Sequence, residues 1–159
     1  MLNPDYRDML CMLNDEGVEY LVVGAHALAA HGYPRATGDI DLWVRCSVEN
    51  AERVWRALRR FGAPLQDLTV ADLATPDVVF QVGIVPRRID ILMSIAAVTF
   101  EDAWPRRKSI LVDEIPIPVI GRDDLLRNKW NTGRTKDRAD AEWLEAHPPE
   151  PTPDDRDRP

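Results

Sequence analysis

Apolar positions recur with two different periods along the chain, and the switches between them mark out its elements. Tyr6, Met9, Leu10 and Leu13 lie three and four apart behind Asn3-Pro4, an N-cap followed by proline at the first helical position, and Gly17 stops the run. That spacing predicts a helix. Residues 18–23, Val-Glu-Tyr-Leu-Val-Val, predict a buried strand broken by Gly24; residues 25–31 a short helix closed by Gly32; and residues 33–38 a loop. Alternation returns over residues 39–45, a second strand. Ser47 then caps a helix whose Ala51, Val54, Leu58 and Phe61 face inward, ending at Gly62. A short helix is expected after Thr69. Residues 78–82 and 88–93 read as two strands of a hairpin joined through Gly83 and Pro86, and Thr99 starts a short helix through Trp104. Residues 110–112 and 115–120 form another strand pair around Asp113-Glu114. Two helices, 122–131 and 135–146, separated by Gly133, close the domain. The Pro-rich, charged stretch 147–159 cannot bury enough apolar area to offset its ordering entropy, so a disordered, dispensable tail is expected there. No internal repeat is visible. Helix and strand alternating at the front, then hairpins and helices, predict an α/β domain over residues 1–146, with a mixed β-sheet flanked by helices and helices again at its C-terminal end.

The composition narrows the class. At 159 residues, with 45% apolar and 30% charged side chains, the chain can bury one core and is neither disordered nor membrane-like in make-up. No run approaches the roughly 18–20 apolar residues that span a bilayer. Pro4, Asp5, Arg7 and Asp8 interrupt any signal-peptide layout. Cys11 and Cys46 stand far apart, outside C-x-x-C spacing, and read as reduced thiols. The cytoplasm is the expected compartment. The net charge of −7 argues against a general nucleic-acid coat protein. Between Arg122 and Arg138, however, Arg122, Arg127, Lys129, Arg134, Lys136 and Arg138 outnumber Asp123, Asp124 and Asp137. Such a strip can hold a polyanion or be merely a solvated helix face.

The chemistry gathers at Asp39-Ile40-Asp41-Leu42-Trp43-Val44. In a strand Ile40, Leu42 and Val44 share one face, and Asp39 and Asp41 share the other, their Cα atoms about 6.6 Å apart. Two ionised carboxylates side by side repel, and a divalent cation removes that penalty. An edge strand decorated with acids shows the same pattern. Arg88-Ile89-Asp90-Ile91-Leu92 repeats it on a second strand. If the two strands are neighbours, about 4.8 Å apart, Asp90 completes a ring of three carboxylates. The Val23-Gly24-Ala25 turn, a strand running through glycine into a helix, presents free backbone N–H groups to an anion, and glycine lets backbone approach phosphate closely.

The run Gly24-Ala25-His26-Ala27, then His31-Gly32-Tyr33-Pro34-Arg35-Ala36-Thr37-Gly38-Asp39-Ile40-Asp41, then Ile89-Asp90-Ile91, resembles the DNA polymerase beta superfamily of nucleotidyltransferases. It looks more narrowly like the AbiEii-type abortive-infection toxin branch, whose closing helical motif is matched by Lys129, Arg134, Lys136-Asp137 and Asp140. The resemblance spans roughly residues 18–145. It implies a nucleotidyltransferase fold and transfer of a nucleoside monophosphate from a nucleoside triphosphate such as ATP to an acceptor hydroxyl. Asp39 and Asp41 would hold two Mg2+ ions, with Mn2+ as a substitute, and Asp90 would complete the site and activate the nucleophile. Gly24, Ala25, Arg35, Thr37 and Lys129 would bind the nucleotide, and Arg134 and Lys136 the acceptor. For the toxin branch the implied acceptor is RNA, in the form of a transfer-RNA 3′ end, and the implied partner is an antitoxin protein. A small-molecule acceptor is the enzymatic alternative, and a non-catalytic nucleotide-binding or antitoxin-like module the non-enzymatic one. The superfamily usually has Gly-Gly or Gly-Ser where this chain has Gly24-Ala25, which keeps the N–H but lacks a hydroxyl.

His26 and His31 are five apart and miss the i,i+4 spacing that would offer both to one metal; His31 reads as a packed, hydrogen-bonded histidine. Asp137 and Asp140 read as anchors of the last helix or partners of Arg134, and Trp43 as rim packing.

Overall fold

The computed structural model describes residues 2–151. The first helix, α1 (Pro4–Asp15), is capped as expected: Asn3 Oδ1 accepts from the Tyr6 N–H at 3.0 Å. Strand β1 (Tyr20–Val23) runs into α2 (Gly24–Ala30), and β2 (Asp39–Val44) follows the loop. Helix α3 (Val48–Phe61) starts at Ser47, whose Oγ accepts from Asn50 N–H at 3.2 Å, and stops at Gly62 in the left-handed region. The helix expected after Thr69 is a single 3-10 turn, Asp72–Ala74, stopped before Thr75 turns extended. The hairpin is present as β3 (Val79–Val82) and β4 (Arg88–Leu92). Thr99 caps α4 (Phe100–Ala103), which tightens into a 3-10 turn over Trp104–Arg106. Strands β5 (Lys108–Val112) and β6 (Ile115–Val119) precede α5 (Arg122–Asn131) and α6 (Thr135–Ala146). β5 begins two residues before its apolar signal because Lys108 and Ser109 pair with Val119 and Pro118 of β6. Residues 147–151 are exposed and lie in no helix or strand, while the rest of the predicted tail, 152–159, lies outside the described residues.

The six strands form one mixed sheet in the order β3-β4-β2-β1-β6-β5. β1 and β2 are antiparallel, whereas β2 with β4 and β1 with β6 are parallel. A parallel neighbour can be reached only by a crossover, and the chain between β2 and β4 supplies one through α3 and β3. Leu10, Leu13, Leu21, Leu28, Leu42, Leu58 and Ile91 are fully buried in a core that continues from α1 and α3 into the sheet. No helix among the described residues is long and apolar enough to cross a membrane.

One buried polar side chain ties the two central strands together. Asn50, in the first turn of α3, donates through Nδ2 to the carbonyls of Glu19 (3.0 Å) and Arg45 (2.9 Å) and accepts from the Glu19 N–H at 2.9 Å. These groups flank β1 and β2, so Asn50 holds the ends of the strands that carry the Gly24 turn and Asp41. Asn50→Ala leaves the Glu19 N–H without its acceptor, while the Glu19 and Arg45 carbonyls keep one donor each, the N–H of Arg45 and of Ser47. It is expected to cost about 1–3 kcal/mol, read as a lower urea midpoint.

Candidate active site

The parallel register of β2 and β4 sets Asp41 opposite Asp90 and Asp39 opposite Arg88. Because Asp39 and Asp41 share a face, as do Arg88 and Asp90, the four side chains form a square on one side of the sheet. Asp39, Asp41 and Asp90 each offer a carboxylate oxygen within 4.8 Å of the others, and Asp90 is buried. The three aspartates inferred from the sequence therefore converge, and the decorated edge is ruled out, since β2 lies between β4 and β1.

Gly24 stands at the end of β1, next to Asp41, with φ +68. A Cβ at this position would overlap the Asp41 carboxylate, whose Cγ would be 3.1 Å away. Glycine is thus needed for two local reasons, the left-handed backbone and the space taken by Asp41. Thr37, in the loop before β2, donates its hydroxyl to Asp39 Oδ1 at 2.8 Å. Arg88 binds both Asp39 (2.8 Å) and Asp90 (2.9 and 3.2 Å). Burial pushes the carboxyl of Asp41 up to about 7, and the charges of Asp39 and Asp90 push in the same direction, against a smaller pull from Lys129 and Arg88.

These groups form the floor of a cavity of about 680 Å³, whose lining includes Gly24, Ala25, Arg35, Thr37, Lys129, Arg134 and Lys136. Every residue assigned from the sequence to the metal, the nucleotide or the acceptor lines this one space. Their states differ. Lys129 is buried, its Nζ 2.9 Å from Asp137 Oδ1 and 3.3 Å from Asp140 Oδ2. The latter contact is an ion pair at poor hydrogen-bond angle, since Asp140 Oδ2 otherwise has no partner. Arg35 pairs with the other oxygen of Asp140, and Arg134 Nε donates to Asp137 Oδ2 at 2.7 Å. Burial works to raise the Asp137 pKa, but hydrogen bonds from Thr132 and Lys129 and the charges of Lys129 and Arg134 outweigh it and hold the carboxyl below the usual range. Asp137 and Asp140 thus anchor α6, as expected. Stacking of Tyr33 on Trp143, with ring centroids 4.4 Å apart, fixes the same helix to the loop that carries Arg35 and Thr37. Arg134 and Lys136 are exposed at the cavity rim.

His31 is packed and its Nε2 lies 2.8 Å from the Ile120 carbonyl. His26 stands edge-on to Tyr6, its Nε2 buried and unpartnered among the described residues, and burial lowers its pKa. Neither points to a metal. Trp43 is buried edge-on against Phe100, away from the cavity. The sequence reading assigned no role to Arg88, Gln81, Asn128, Asn131 or Thr132, all of which line the cavity. For Arg88 the signal was available, because it sits two residues before Asp90 and so on the same face of the strand.

The donor set fits a divalent cation. Three hard carboxylate oxygens converge, one of them on an aspartate whose charge the fold disfavours, so a cation among them would relieve their repulsion.

No protein-family model and no curated protein matches this sequence. Solved structures do share its fold. A candidate nucleotidyltransferase from Thermotoga maritima superposes with a TM-score of 0.61 at 18% identity, over 92% of this chain and 97% of its own. The antibiotic-resistance factor ANT(2'')-Ia superposes with a TM-score of 0.59 at 12% identity, over 89% of this chain and 81% of its own. At such identities the likeness is one of fold: a nucleotidyltransferase-like mixed sheet flanked by helices.

Proposed function

We propose that this chain transfers a nucleoside monophosphate from a nucleoside triphosphate to an acceptor hydroxyl. The acceptor oxygen forms a bond to the α-phosphorus, the bond to the bridging oxygen breaks, and pyrophosphate leaves with the displaced electron pair. The observation that carries this reading is the convergence of Asp39, Asp41 and Asp90 beside the Gly24 turn on the floor of one cavity. Asp39 and Asp41 would hold two Mg2+ ions and Asp90 would accept the acceptor's proton; bound magnesium would neutralise charge on the triphosphate. Thr37 keeps Asp39 oriented, and the backbone at Gly24 and Ala25 faces the phosphates. Arg35 and Lys129 add positive charge to the same wall, held in place by Asp140 and Asp137.

RNA is the acceptor we favour, with a transfer-RNA 3′ end as its form and an antitoxin as the partner of an AbiEii-like toxin. Support comes from the motif resemblance and from Arg134 and Lys136, exposed at the rim where a bound strand would pass. Lys129 belongs to the buried network, so the RNA test removes Arg134 and Lys136 only. Their joint replacement by alanine is expected to weaken RNA binding and flatten its logarithmic salt dependence by about 1–2. An unchanged slope would move the RNA elsewhere. A small-molecule acceptor is the second reading, favoured by the fold shared with an antibiotic-resistance factor. Supplying each labelled triphosphate with total RNA or with a hydroxyl-bearing antibiotic decides between them: label in RNA supports the first, label in the antibiotic the second.

A further inference from the structure

The square of Asp39, Asp41, Arg88 and Asp90 contains its own counter-ion. Arg88 Nε donates to Asp90 Oδ1 at 2.9 Å, and its Nη2 donates to Asp90 Oδ2 at 3.2 Å and to Asp39 Oδ2 at 2.8 Å. Both oxygens of Asp90 and one of Asp39 are thereby engaged by a single guanidinium. These are the atoms that a divalent ion shared by the carboxylates would need. The Arg88 side chain is 31% exposed and borders the cavity, so a path out of the square is open.

Resting on the nucleotidyl-transfer reading, we propose that Arg88 is a positioning residue that couples metal loading to triphosphate binding. With the cavity free of nucleotide, the guanidinium screens the carboxylates from one another and competes with a metal for their lone pairs. A divalent ion displaces it, since two cations cannot share those oxygens at such distances. Alone, the displaced side chain gains only water. With a triphosphate in the cavity it gains phosphate oxygens, for which a planar guanidinium is well matched. Metal therefore binds weakly without nucleotide and tightly with it, and by reciprocity the nucleotide binds tightly only with metal.

The test is Mn2+ binding, followed by electron paramagnetic resonance, in wild type, Arg88→Ala and Arg88→Lys, with and without a non-hydrolysable triphosphate. Without nucleotide, Arg88→Ala is expected to bind Mn2+ at least about tenfold more tightly than wild type, as loss of one charge-assisted competitor implies. The strengthening of Mn2+ binding by nucleotide should shrink in this variant by a similar factor. Arg88→Lys, which keeps the charge but not the forked contact, should fall between the two and carries the test if Arg88→Ala does not fold. Unchanged or weaker Mn2+ binding in Arg88→Ala overturns the proposal, as does a lysine variant identical to wild type. If Asp41→Asn abolishes Mn2+ binding while Arg88→Ala leaves it unaltered, only the role of Arg88 fails. If no variant binds Mn2+ with or without nucleotide, the nucleotidyl-transfer reading fails with it.

Discussion

Replacing Asp41 with asparagine is expected to abolish nucleotide transfer and, at the same time, to stabilise the metal-free protein. The two effects have one cause. Asp41 sits beside Asp39 and Asp90 in a half-buried site, and Arg88 pairs with those two but not with Asp41. Its folded-state pKa of about 7 lies well above the ordinary 3.8, burial being the larger cause and the neighbouring carboxylates the next. A carboxyl raised in this way binds a proton more tightly folded than unfolded. Its destabilisation is therefore fully present above pH 7, relieved as pH falls from about 7 towards 4, and absent below. The full shift corresponds to about 4 kcal/mol. Water in the open cavity lessens this, so Asp41→Asn is expected to gain roughly 1–3 kcal/mol at pH 8 and almost nothing at pH 4. Magnesium with nucleotide is expected to raise the melting temperature of wild type, and the variant should lose most of that rise. Thermal unfolding at the two pH values, with and without magnesium and nucleotide, checks all three statements. A variant that melts lower than wild type without metal at pH 8 would mean that the Asp41 charge is stabilising where it lies.

Lys129→Met is expected to have the largest effect on stability. Lys129 is the buried cation between Asp137 and Asp140, at 2.9 and 3.3 Å. Methionine fills a similar volume but leaves two buried carboxylates with less compensation, a loss of about 3–5 kcal/mol at neutral pH. The pH dependence has the opposite sign to that of Asp41. The Asp137 pKa is held below its unfolded value, so its contribution to stability is present above about pH 4 and lost as pH falls through the lowered value. The gap between wild type and Lys129→Met in urea should therefore be widest at neutral pH and narrow below pH 4. Because Asp140 also holds Arg35, the same substitution should loosen the loop that carries Thr37 and weaken nucleotide binding. A gap that does not change with pH would place the loss in packing alone.

The contrast between Asp41 and Lys129 shows what can be read from sequence and what cannot. The two-residue repeat puts Asp39 and Asp41 on one face of a strand, and the same logic puts Asp90 on one face of another. Both statements are local, and both hold in the fold. That the two strands are parallel neighbours in a register setting Asp41 against Asp90 depends on the crossover through α3 and β3, which no local pattern encodes. Lys129, expected to meet a triphosphate directly, is locked by two aspartates from the following helix, and only the packing of α5 on α6 reveals it. Gly24 was identified for its approach to phosphate, whereas the atom that needs its space here is the Asp41 carboxylate. The Asn50 corner was silent for a similar reason: its partners are backbone groups 31 and five residues away. Element types were legible almost throughout. The 3-10 turn at Asp72–Ala74 and the polar start of β5 escaped, because there single-turn geometry and strand pairing outweigh local propensity.

Pyrophosphate release is the most direct measure of the proposed chemistry. Wild-type protein, given each of the four nucleoside triphosphates with RNA or a small hydroxyl acceptor, is expected to release pyrophosphate in step with label appearing on the acceptor. That release should stop when magnesium is chelated and return when Mg2+ or Mn2+ is restored. In Asp41→Asn it should fall by at least about a thousandfold while the protein remains folded, the scale on which removing a core electrostatic contributor acts. Absence of pyrophosphate with every triphosphate and both acceptors, or release that persists undiminished in Asp41→Asn, would contradict the account.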